Sequence, residues 1–119
     1  MASATLHAAC PVTAAVALVG GKWKIPLLWH LQAGPRRYGA LRRAIPGISE
    51  KMLGQQLRAL AADGLVERTV YAEVPPRVDY ALTAQGRALT PALSALADWG
   101  VAHLDGPWCS EAQSTEGTA

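Results

Sequence analysis

Lys51, Gln55 and Arg58 recur at helical spacing within "GISEKMLGQQLRAL", residues 47–60. Two of them are cations able to neutralise phosphate, and the third carries an amide that can bond a base edge. Ser49 stands just ahead as a good helix N-cap, and with Gln56 it completes a candidate DNA-contacting set on one segment. Most polar helix faces simply meet water, so the row alone decides nothing. Arg36, Arg37, Arg42 and Arg43 lie upstream and suit phosphate contact better than base reading. Arg77 follows downstream near a turn, where it either reaches into a minor groove or pairs with Glu73 or Asp79. Cys10 offers a different chemistry. As N-cap of a helix starting at Pro11, its thiolate would sit at the positive end of the helix dipole, which favours ionisation and reactivity. The alternative is a small apolar packing residue.

Other chemistries are poorly supplied. No Gly-rich phosphate loop is present, no carboxylate pair stands near a His, and nothing places a base beside Cys10, so an enzyme is not expected. His7, His30 and His103 show no metal-ligand spacing with one another or with Cys10 and Cys109, and neither a metal nor a cofactor is expected. Two cysteines are too few for a disulfide-stapled secreted scaffold. The apolar start from Ala8 to Val19 has no Lys or Arg before it and ends at Gly20-Gly21, which argues against a signal peptide. No apolar run reaches membrane-spanning length. The expectation is a cytoplasmic protein with reduced thiols and no membrane partner.

The net charge of +2 hides an uneven distribution. Between Lys22 and Arg58 stand eight basic residues against one acid, Glu50, whereas after Arg77 only Arg87 faces five acids. A basic half on a near-neutral chain suggests a surface for a polyanion. Half of the 119 residues are apolar, enough for one packed domain, which we place at 1–104 with a flexible tail at 105–119.

The elements that must position these residues follow from periodicity. Pro11 suits a first helical position, and Val12, Val16 and Val19 recur at helical spacing until Gly20. A second helix over about Trp23 to Leu31 carries Leu27, Leu28 and Leu31, with Pro26 tolerated in its first turn. Tyr38, Leu41 and Ile45 mark a short third helix with Arg42 and Arg43 turned outward. After Pro46-Gly47, Leu53, Leu57 and Leu60 fall within roughly 60° of one another, and Lys51, Gln55 and Arg58 lie roughly 140–200° from Leu53. Two short helices around a Gly-containing turn form a helix-turn-helix whose second helix can enter a major groove. "LVERTVY" and "RVDYALT" then alternate as a hairpin, Val66, Arg68 and Val70 against Val78, Tyr80 and Leu82. Thr83 caps one final long helix, bent at Pro91, with Leu89, Leu93, Leu96 and Trp99 in a stripe. The four tryptophans, in a chain with no Phe, read as core and interface filler. The fold class is therefore α+β, mainly α: a winged helix-turn-helix with a two-stranded hairpin wing and flanking helices.

"CP" at Cys10-Pro11, "GGKW" at Gly20 to Trp23, "RRYGALRRAIPGISEKML", "LRALAADGLVERTVY" and "VPPRVDYALTAQG" together resemble the HxlR family of bacterial winged helix-turn-helix regulators. The likeness runs from about Cys10 to Trp99, and Gly39, Ala40 and Pro26 depart from the pattern. It implies a homodimer binding double-stranded operator DNA, an inverted repeat, with Val12, Val16, Leu89, Leu93, Leu96 and Trp99 in the pairing helices. It also implies that Cys10 can sense oxidants or electrophiles, as a cysteine in this region does in several relatives. The competing reading is a winged-helix module that binds protein and never DNA.

Overall fold

The structure is a computed structural model and describes residues 10–107. Cys109 and most of the expected tail lie outside the described residues, as do His7 and Trp108. Two compact units divide between Ala88 and Leu89.

In the first unit, α1 (Pro11–Val19) starts at Pro11, whose missing N–H costs nothing in the first turn, and ends where the Gly20 N–H bonds Val16 O at 2.6 Å. α2 (Lys24–Leu31) accommodates Pro26 for the same reason and buries Leu27, Leu28 and Leu31. β1 (Arg36–Arg37) leads directly into α3 (Tyr38–Ala44). α4 (Glu50–Ala62), β2 (Val66–Tyr71), β3 (Arg77–Leu82) and α5 (Ala84–Ala88) complete the unit. The core is aliphatic: Leu27, Leu41, Leu53, Leu57 and Leu60 are almost completely buried, and Tyr80 and Leu82 face them from the sheet.

α3, the turn through Gly47 (φ +84°) and α4 form the expected helix-turn-helix. Only glycine takes that turn conformation without strain. Ser49 caps α4, its hydroxyl accepting from the Met52 N–H at 3.0 Å. The other end closes with a Schellman motif: Gly64, at φ +79°, donates to Ala61 O, and Leu65 donates to Leu60 O, both at 3.0 Å.

The sheet has order β1-β3-β2, one strand more than the expected hairpin. Arg36 pairs with Tyr80 and Arg37 with Asp79, so the two arginines belong to an edge strand. Two residues are too few for alternation to reveal a strand. In the wing proper, Val66 to Tyr71 pair with Leu82 to Arg77, which puts Val66, Arg68, Val70, Val78, Tyr80 and Leu82 on one face.

The final helix departs from expectation. Thr83 does cap a helix, accepting from Gly86 N at 3.0 Å, but that helix is the five-residue α5. The second unit starts at Leu89 and holds α6 (Thr90–His103), with Pro91 in its first turn. The cause is Pro91, which has no N–H for the Arg87 carbonyl and whose ring crowds it. A break, with Pro91 reused at a helix start, replaces the expected bend. Within α6 the Trp99 and His103 rings stack at 4.9 Å.

Candidate nucleic-acid interface

α4 carries the expected row. Lys51, Gln55 and Arg58 are exposed, while Leu53, Leu57 and Leu60 on the opposite side are 0%, 1% and 0% exposed. The buried stripe fixes the helix's rotation, and the polar row points to solvent as a consequence. Gln56 lies on a different flank, half-buried, with its amide 3.3 Å from the Met52 sulfur. Ser49 is exposed, but its hydroxyl is engaged by the cap. Glu50 occupies the first turn of α4, where a carboxylate suits the helix dipole.

The upstream arginines are spread over two elements. Arg42 and Arg43 are exposed on the last turn of α3, where cations complement the helix C-terminus. Arg37 is exposed on β1, and Arg36 is partly covered. His30 is held below its ordinary 6.5, first by burial and then by the Arg36 charge.

Arg77 is not a free wing tip. Its guanidinium stacks over the Tyr71 ring at 3.9 Å and faces Glu73 at 3.5 Å and Asp79 at 3.6 Å. This is the hairpin pairing that its neighbours in the sequence allow. The tip itself is Val74, fully exposed, followed by Pro75 and Pro76.

Two residues line the space between α4 and the sheet although sequence reasoning did not single them out as site residues: Tyr38 and Arg68. Tyr38 donates from its hydroxyl to the Glu50 carbonyl at 2.7 Å, tying α3 to the start of α4. Burial first, then the Glu50 charge, keeps that hydroxyl above its ordinary 10.0 and so protonated. The signal for Arg68 was present in the sequence, as a cation interrupting the apolar face Val66, Val70 of a strand.

Cys10 is exposed and is the residue ahead of α1. No cap hydrogen bond of full geometry forms, yet the Thr13 hydroxyl, then the Thr13 and Val12 backbone, hold the thiol below its ordinary 9.0. α1 exposes Val12 and Val16 at 69% and 56%. In the second unit, Leu96 and Trp99 are 61% and 55% exposed, Leu89 is half-buried and Leu93 is buried. The expected stripe is thus open only along its C-terminal part. Among the described residues no group of His, Cys, Asp or Glu is arranged to hold a metal, and no helix is long and apolar enough to cross a membrane.

Known proteins share this architecture. The chain is 45% identical over 96 residues to the HTH-type transcriptional regulator YdeP of Bacillus subtilis, covering 81% of this chain and 75% of that one. The redox regulator HypR superposes in its oxidised form with a TM-score of 0.76 at 44% identity, over 82% of this chain and all (100%) of that one. The reduced transcriptional regulator YodB of B. subtilis gives 0.69 at 36% identity, over 76% and 90% of the two chains. The HxlR-like helix-turn-helix family matches residues 18–107, which leaves Cys10 and most of α1 ahead of the matched span. With the helix-turn-helix, the wing and most of the chain so matched, the protein belongs to the HxlR-like helix-turn-helix family.

Proposed function

We propose that this chain is a homodimeric, sequence-specific DNA-binding regulator of transcription that works in the cytoplasm on an inverted-repeat operator. The observation that carries the reading is the exposed row Lys51, Gln55 and Arg58 on a helix whose rotation is set by three buried leucines. Gln55 would read a base edge, Lys51 and Arg58 would hold phosphate beside it, and Arg42, Arg43 and Arg37 would fix the domain on the backbone. Ser49 and Gln56 serve better as supports of α4, given their bonds to Met52.

Pairing is supported by apolar side chains left in water: Val12 and Val16 on α1, Leu96 and Trp99 on α6. A switch at Cys10 is supported by its exposure, the hydrogen bonds that favour its thiolate and the likeness to the redox regulator HypR. Oxidants or electrophiles would modify the thiolate at the end of a pairing helix.

The test is selection of duplexes from random DNA, followed by titration at several salt concentrations. The expected result is an inverted repeat bound by a dimer, with affinity falling steeply as salt rises, because neutralised phosphates release counterions. A protein that enriches no sequence and shows no salt-dependent duplex binding is instead a protein-interaction module.

A further inference from the structure

A cavity of about 410 Å³ lies between α4 and the sheet. Arg58 and Lys51 line it from α4, Arg68 from β2, and Tyr38 and Tyr80 supply aromatic walls. Gly54 and Ala61 keep its α4 side shallow, and the Arg58 guanidinium lies over Gly54. Strand register explains why Arg68 faces the cavity. It shares a face with Val66 and sits across from Tyr80, both buried, so the core face of the wing continues outward as a cation.

The charges there are unbalanced. Lys51, Arg58 and Arg68 meet one acid, Glu50, and among the described residues none of the three cations has a carboxylate within ion-pair distance. A second cavity, of about 540 Å³ beneath the wing, shares Tyr38, Arg68 and Tyr80 with the first. Arg68 therefore stands where the two cavities meet, between α4 and the wing.

We propose that this cavity is a phosphate seat, in which Arg58 and Arg68 grip a single backbone phosphodiester of bound DNA from two elements. Arg68 is then a DNA-binding residue beyond the set above, and the inference rests on the DNA-binding reading. Guanidinium forks suit the oxygens of one phosphate, which presents enough acceptors for both. The tyrosine rings suit the sugar beside it. Holding one phosphate from both sides would lock the insertion depth of α4 to the position of the wing.

The test uses the full chain and a duplex selected from random DNA by the wild-type protein, scanned with neutral methylphosphonates one backbone position at a time. Arg68→Ala should weaken binding roughly ten- to hundredfold, as should Arg58→Ala. One phosphate position that matters to wild type should lose its importance in both variants. Arg68→Lys keeps the charge without the fork and should fall between; it carries the scan if Arg68→Ala does not fold. Wild-type affinity in Arg68→Ala, or insensitivity of the two variants at different phosphates, overturns the seat while leaving DNA binding intact. A wild-type protein that binds no duplex overturns both. If inorganic phosphate at constant ionic strength shifts the Gly54 and Arg68 amide signals while Arg68→Ala binds DNA normally, the cavity is a small-anion site and the DNA assignment fails.

Discussion

Gly54→Ala should make the protein more stable and a poorer DNA binder. Gly54 lies inside α4 with ordinary helical backbone, where glycine costs about 0.5–1 kcal/mol relative to alanine. A Cβ there would come 3.2 Å from Arg58 Nη1 and 3.9 Å from its Cζ and Nη2, so the three nearest atoms all belong to that one guanidinium. The obstacle is the far end of an exposed, flexible side chain, which can move at little cost. The propensity gain should therefore survive, raising the melting temperature by about 2–8 °C for a domain of this size. The displaced guanidinium no longer lies over the helix. If its present position serves phosphate, affinity should fall by roughly 1 kcal/mol, about fivefold, a part of what a charged hydrogen bond contributes. Thermal denaturation by circular dichroism and fluorescence-anisotropy titration read the two effects separately. A double-mutant cycle with Arg58→Ala should abolish the binding effect and keep the thermal one. A melting temperature at or below wild type refutes the claim that Arg58 yields. Unchanged affinity in Gly54→Ala refutes the claim that its position matters.

Gly86→Ala should do the opposite to stability, because its Cβ would overlap the Leu65 carbonyl oxygen, which is backbone and cannot yield. A loss of about 1–3 kcal/mol in denaturant unfolding is expected, and an unchanged midpoint would contradict it. Gln55→Ala should alter which sequences are selected, at a cost of about 1–3 kcal/mol at one base position, whereas Arg42→Ala or Arg43→Ala should weaken all sequences alike and flatten the salt dependence. An unchanged selected motif in Gln55→Ala assigns base reading to another face. In a Cys109→Ser background, the pH midpoint of Cys10 alkylation should lie below 9.0, since Thr13 stabilises the thiolate. Thr13→Ala should move it upward, and an unmoved midpoint removes Thr13 from the account.

The sequence made the reading unit legible where one periodic pattern decided between buried and exposed. Leu53, Leu57 and Leu60 settled the rotation of α4 because they sit beneath it, and Lys51, Gln55 and Arg58 followed. Ser49 and the Asp63-Gly64 stop were readable because capping is local chemistry. What escaped depended on pairing between distant segments. β1 is two residues long and exists only through Tyr80 and Asp79. Arg77 could be read as a groove probe or as part of the wing, and only the fold put Tyr71, Glu73 and Asp79 around it. Tyr38 looked like core, and its hydrogen bond to Glu50 required knowing how α3 meets α4.

The fold fixes α4 far more firmly than it fixes what surrounds Cys10. Ser49 and the Tyr38 hydroxyl hold the start of α4. Its far end is held by the Schellman turn and by Thr83, whose hydroxyl donates to Gly64 O at 2.6 Å and whose N–H bonds Leu65 O at 3.0 Å. α1, in contrast, exposes every residue from Pro11 to Ala17 except the half-buried Ala14, and buries only Val19. A helix so apolar and so little covered has most of its packing still to gain, which a second copy would supply in the proposed dimer. Modifying Cys10 would then leave the shape of each α4 alone and act on how two of them are spaced. Because both must enter major grooves on one duplex, small changes in spacing cost affinity without any change in which bases each helix reads. That separates the two kinds of variant by assay: substitutions on α4 should change the selected half-site, and chemistry at Cys10 should change affinity or half-site separation while the half-site stays the same.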